Sequence, residues 1–183
     1  MDDAIAVEVN NRPLVVDLDG TLINSGLLAE SFLALLSSDP LRALSTIRHG
    51  HAKRKAVIAE AAAGDFHALA FNEDLLAFLR QEKAKGRRIY LTVDAHETLA
   101  QGIAAHTGLF DGIFASDGSG ALRGAAKAEL LCRTFGRGNF DYAGGNKADM
   151  DVWHAAAGVL VVGGSPGLIR TVSRTFQIGR AHV

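Results

Sequence analysis

The sequence predicts an α/β fold: a parallel sheet flanked by helices, with a small all-helical cap inserted after the first strand. Short apolar or β-rich runs at 14–16, 88–93, 112–115, 141–143 and 159–162 alternate with helical patterns, as in strands joined by crossover helices. The stretch 26–63 keeps helical spacing and carries no strand signal. Asp17, Val93, Asp94 and Gly144 fall at carboxyl ends of strands, where open α/β sheets bind their ligands.

Taken in order, Pro13 stands at the entry of the first strand, where a missing N–H is tolerated. Leu14-Val15-Val16 then reads as a buried strand ending at Asp17. Leu27, Leu28, Phe32, Leu35 and Leu36 recur at helical spacing until Pro40, where a second helix starts, and a third spans 51–63 and stops near Gly64. These helices define a cap at 24–71 between the two parts of a core, 1–23 and 72–177. Residues 72–85 form the next helix, with Asn72 as N-cap and Gly86 at its carboxyl end. Further helices are expected at 95–106, from near Lys127 to about Phe135, and at 149–157. Gly163-Gly164-Ser165-Pro166 reads as a turn after the last strand rather than a phosphate loop. The whole is Rossmann-like.

Hydrophobic residues make up 48% of the chain and charged residues 21%, the balance of a globular protein. A net charge of −1 gives no electrostatic case for nucleic acid. The single cysteine, Cys132, excludes an intrachain disulfide, fits a reducing compartment and reads as a small buried residue. Met1-Asp2-Asp3 opens without a signal-peptide pattern, and no apolar run reaches the length of a membrane span. The expected location is therefore cytoplasmic. Arg48, His49, His51, Lys53, Arg54 and Lys55 form a basic run in the cap, best read as a solvated helix face. None of the seven histidines has metal-ligand spacing.

The chemistry concentrates in Asp17-Leu18-Asp19-Gly20-Thr21. A carboxylate at a strand end can attack phosphorus and form an aspartyl-phosphate. A second carboxylate two residues on can protonate the leaving oxygen and then activate water. Gly20 lets the backbone turn and come close to a phosphate, and Thr21 can hydrogen-bond in the loop. A helix–loop–helix calcium loop would need Gly at its sixth position and Glu at its twelfth. Counted from Asp17, the glycine is fourth and the twelfth residue is Leu28.

Leu14-Val15-Val16-Asp17-Leu18-Asp19-Gly20-Thr21-Leu22 resembles the first motif of the haloacid-dehalogenase-like (HAD-like) superfamily. A closer resemblance is to the soluble HAD-like domain ahead of UbiA-type membrane prenyltransferases. It is carried by Ala104-Ala105-His106-Thr107-Gly108-Leu109-Phe110-Asp111, Ala115-Ser116-Asp117-Gly118, Gly124-Ala125-Ala126-Lys127-Ala128, and Phe140-Asp141-Tyr142-Ala143-Gly144 with Asp149 and Trp153. The resemblance implies a Mg²⁺-dependent phosphatase or phosphotransferase acting on a small phosphorylated compound. It makes Asp17 the nucleophile, Asp19 the acid/base and Lys127 the cation that neutralises phosphate and nucleophile. Phosphate contacts fall to Lys127, Thr92, Gly20 and Thr21, and Mg²⁺ to Asp17, Asp19, Asp149 and Asn146.

Two positions depart from the pattern. Read without a gap, Val93 stands where the second motif has a phosphate-binding Thr or Ser; Thr92 is one residue early and Asp94 one late. In the fourth motif, Gly145 stands where a Mg²⁺-binding Asp is expected, leaving Asn146 as a neutral, weaker ligand. These departures define an alternative: a catalytically weak or inactive HAD-like binding or regulatory domain of a membrane prenyltransferase. The tail 178–183 reads either as an ordinary frayed end or, by its resemblance to a translated sequencing adapter, as non-native; on the second reading the natural chain is expected to continue past Gln177, with a missing prenyltransferase domain as partner and a full-length protein at the membrane.

Overall fold

The computed structural model describes residues 11–23, 71–116 and 121–176. The expected cap helices and their basic run lie outside the described residues, as does the tail at 178–183.

Five strands form one sheet: β1 (Leu14–Asp17), β2 (Ile89–His96), β3 (Gly112–Ser116), β4 (Asp141–Gly144) and β5 (Gly158–Val161). Their order is β3-β2-β1-β4-β5, and every neighbouring pair is parallel. The helices are α1 (Glu73–Ala84), α2 (Glu97–Thr107), α3 (Gly124–Phe135), α4 (Met150–Trp153) and α5 (Pro166–Thr175). This is the predicted Rossmann-like sheet, with β1 at its centre. Among the described residues no helix is long and apolar enough to cross a membrane.

Local chemistry explains most boundaries. The Asn72 side chain accepts from the Leu75 amide at 3.0 Å, and Glu73 and Asp74 occupy the first turn of α1, where carboxylates suit the helix dipole. Gly86, at φ 85°, takes the left-handed turn that ends this segment. Three expectations need correction. β2 runs on to His96, so α2 starts at Glu97 rather than at 95. The register against β3 shifts between Val93 and His96, so Asp94 and Ala95 are extra residues in a bulge. The helix expected at 149–157 is a 3₁₀ turn, Lys147–Asp149, followed by the short α4. It stops because the chain folds back on the sheet: the Ala157 amide donates to the Phe140 carbonyl at 2.8 Å. Finally, the turn read at 163–166 leads into α5, whose cap is Ser165 and whose first residue is Pro166.

The sheet separates two apolar layers. Leu14, Val16, Ile89, Leu91 and Val93 face one core with Leu18, Leu22, Leu75, Leu79 and Ile103. Val15 faces the other with Tyr142, Phe140, Leu131, Val152 and Trp153. Strand alternation therefore puts Asp17 on the Val15 face, the face that α3 covers. At the amino edge of the sheet, Arg87 bonds Glu82 at 2.9 Å, the Arg12 carbonyl at 2.9 Å and Asp141. Arg12 bonds Asp141 from the other side at 3.1 Å. This cluster, buried at Arg87, Glu82 and Asp141, ties together the starts of β1, β2 and β4.

Candidate active site

The opposite, carboxyl edge of the sheet holds a cavity of about 170 Å³, lined by Asp17, Asp19, Asp94, Arg123, Gly124, Lys127, Asn146, Ala148 and Asp149. Four topologically separate pieces build it: the β1 loop, the β2 bulge, the start of α3 and the loop after β4. Asp17 and Lys127 are almost wholly buried at its base.

Lys127 lies in the first turn of α3 and donates to Asp17 Oδ1 at 2.6 Å and to the Tyr142 hydroxyl at 3.1 Å. Tyr142 in turn donates to Asp149 Oδ1 at 3.0 Å. The Gly145 and Asn146 amides donate to Asp149 Oδ2 at 3.1 and 3.0 Å. The result is a buried chain, Asp17–Lys127–Tyr142–Asp149. Tyr142 was not singled out from the sequence, where it reads as an ordinary strand aromatic. Gly144 makes room for the chain, since a Cβ there would come within 2.6 Å of Asp149 Oδ2 and 2.9 Å of the Tyr142 ring.

Burial is the largest influence on Asp17 and raises its pKa from 3.8 to about 7. Lys127 opposes this, and the negative charges of Asp149 and Asp19 add to it. Burial, then Asp17 and Asp149, likewise push the Tyr142 hydroxyl well above its ordinary value, so it stays a neutral donor.

The structure brings together Asp17, Asp19, Lys127, Asp149 and Asn146 but not the other expected contacts. Thr92 is paired in register with Asp17 and shares its face, yet it is fully buried and does not line the cleft. Its hydroxyl has no hydrogen-bond partner among the described residues. β2 stays regular through Val93, so the bulge that follows carries Asp94, not Thr92, into the cleft. Gly20 and Thr21 also lie off the cleft. Gly20 takes φ 73°, which curls the loop so that the Leu22 amide returns to the Asp17 carbonyl at 3.3 Å. Thr21 is buried, its hydroxyl without a partner among the described residues. The Asn146 oxygen accepts from the Ala148 amide at 2.8 Å, so it caps the 3₁₀ turn instead of facing a metal. At Gly145 a Cβ would stand 2.3 Å from the Gly20 carbonyl and 2.4 Å from that of Val162. This position, where a carboxylate side chain was expected, has no room for one.

Superposition on solved structures gives the fold its name. The chain has a HAD-like fold. It matches a HAD family hydrolase of Salmonella enterica over 87% of this chain and 65% of that one, with TM-score 0.64 and 18% identity. It matches an apo phosphoserine phosphatase over 87% of this chain and 90% of that one, with TM-score 0.63 and 16% identity. A phospho-aspartyl intermediate analogue of phosphoserine phosphatase matches over 91% of this chain and 99% of that one, with TM-score 0.61 and 15% identity. A curated relative, an uncharacterized protein of Sinorhizobium fredii, is 36% identical over 154 residues, which are 82% of this chain. The chain spans 30% of the length of that relative. No family model matches the chain.

Proposed function

We propose that the chain hydrolyses small phosphomonoesters through a phosphoryl group carried on Asp17. The supporting observation is the Lys127 ammonium 2.6 Å from the Asp17 carboxylate in a buried cleft that Asp19 also lines. Asp17 attacks phosphorus, the bond to the leaving oxygen breaks, and Asp19 gives that oxygen a proton. Asp19, now a carboxylate, takes a proton from water as the water attacks phosphorus, which returns Asp17 and releases phosphate. Lys127 holds the negative charge that gathers beside Asp17.

A divalent cation suits the charge here. The cleft is lined by four carboxylates, Asp17, Asp19, Asp94 and Asp149, against the cations Lys127 and Arg123. Among the described residues no three acidic, thiol or imidazole side chains form a ready-made metal cage. Asp149 is instead turned onto Tyr142 and two amides. Mg²⁺ tolerates so small a set, since it keeps several waters and binds through one or two carboxylates. Asp17 and Asp19 would hold it, with Asp149 behind, and it would supply neutralising charge to the phosphoryl oxygens. The test is phosphate release from a phosphomonoester panel with and without Mg²⁺. Wild type should release phosphate and Asp17→Asn should not; equal turnover by the two would sink the proposal.

Two observations favour a second reading. The crowded loop at Gly145 and the off-cleft Thr92 leave the site short of a carboxylate and a hydroxyl. On this reading the domain is a weak or inactive binding module of a larger protein, in keeping with the longer relative. The resemblance to domains ahead of prenyltransferases names the candidate partner. Phosphate release by neither wild type nor Asp17→Asn would put this reading ahead.

A further inference from the structure

The cleft is graded in depth. At its base the side chains of Asp17 and Lys127 are 6% and 5% exposed. At its rim the Arg123 side chain is 56% exposed. Arg123 precedes α3, one helical turn before Lys127, and both line the same cavity. The Arg123 side chain does not cap its own helix. Its Nε pairs with Asp94, whose carboxylate is 7% exposed and also accepts from the Leu122 amide at 3.2 Å. Asp94 reaches this position only because of the two-residue bulge in β2. The bulge thus sets a carboxylate against the Nε of a rim guanidinium, and Asp94 is the only pairing partner of Arg123 among the described residues. A planar guanidinium held in this way keeps its remaining N–H groups for a second, two-oxygen acceptor.

We infer that Arg123 binds a second anionic group on the substrate, so that the preferred substrate class is a phosphomonoester whose alcohol carries a carboxylate or another phosphate. This rests on the phosphoryl site proposed at Asp17 and adds its outer half. The phosphate sits at the base against Lys127, and the leaving group extends outward to Arg123. Asp94 is a positioning residue: it orients the guanidinium, and its charge also moderates the attraction, so the expected selectivity is modest.

The test compares two probes of nearly the same size, phosphoglycolate, which carries a carboxylate, and ethyl phosphate, which does not. Calorimetry on the full chain bearing Asp17→Asn, with Mg²⁺ present, measures binding without turnover. Phosphoglycolate should bind roughly tenfold more tightly than ethyl phosphate. Adding Arg123→Gln should bring the two affinities together by weakening phosphoglycolate alone, and unchanged ethyl phosphate binding shows that the cleft is intact. Asp94→Asn should preserve or widen the preference. Equal affinities before Arg123 is changed, a preference that survives Arg123→Gln, or no binding of either probe would each overturn the inference. Turnover by wild type is read separately, so an inactive protein that still discriminates the probes would sink the reaction but leave Arg123 in place.

Discussion

The two edges of the sheet use the same materials to opposite ends. At the amino edge, Arg87, Arg12 and Lys85 meet Glu82 and Asp141 in a cluster tied by short side-chain bonds. Gly158 packs directly on it, since a Cβ there would come within 2.6 Å of Asp141 Oδ1. At the carboxyl edge, Lys127 and Arg123 face four carboxylates around an open cavity. In the first, each carboxylate is paired with two cations, and Arg87 is buried between them. The second has carboxylate in excess around a cavity, and burial, with Asp149 and Asp19 adding to it, raises the pKa of Asp17. A buried ion pair alone does not mark a functional site. Excess charge beside a cavity is the better sign.

Breaking each edge should therefore give different phenotypes. Arg87→Ala removes the cation shared by Glu82 and Asp141, which keep Lys85 and Arg12, and should cost about 3 kcal/mol of stability, the low end for breaking a buried pair, read from denaturant unfolding, with turnover per folded molecule unchanged. Tyr142→Phe removes the hydroxyl between Lys127 and Asp149. It should lower kcat roughly tenfold or more, with a smaller stability loss of about 1–3 kcal/mol; a change confined to stability would assign Tyr142 to packing alone. Gly145→Ala forces a methyl against two carbonyl oxygens. A loss of about 1–3 kcal/mol is expected, visible as a lower Tm, and a neutral result would mean that the loop opens readily. The remaining effect concerns pH. Between 3.8 and about 7 folded Asp17 retains a proton that the unfolded chain has lost. Metal-free protein should accordingly lose stability as pH rises through that window. Asp17→Asn should flatten the slope in unfolding midpoints measured with chelator, whereas the amino-edge variant should keep it.

The comparison also shows what a sequence can disclose. All five strands were legible, because each is a short apolar run bounded by turn residues. Asp17 was legible because the motif around it is local, and Lys127 only through the resemblance. Tyr142 and Arg123 were not, and Asp94 was legible only as a strand-end residue, since their roles arise only when separate elements converge. Asp94 depended on a bulge that leaves no pattern of its own in a β-rich run. Thr92 was expected at the phosphate, but sheet register buries it beside Asp17 instead. Gly145 was visible as a departure, while its cause, two carbonyl oxygens crowding the loop, required the fold. The α5 helix was missed although Ser165-Pro166 is a cap and first-turn signal, because two preceding glycines drew the reading to a turn.

The bond proposed at Asp17 can be sought directly. Wild-type protein and Asp17→Asn are mixed with a phosphomonoester and Mg²⁺, quenched in acid during turnover, digested and examined by mass spectrometry. The expected result is one added phosphoryl group on the peptide containing Asp17 in the wild type, absent from the variant. Turnover that persists in Asp17→Asn, or a phosphoryl group found on another residue, would contradict the assignment of Asp17 as the nucleophile.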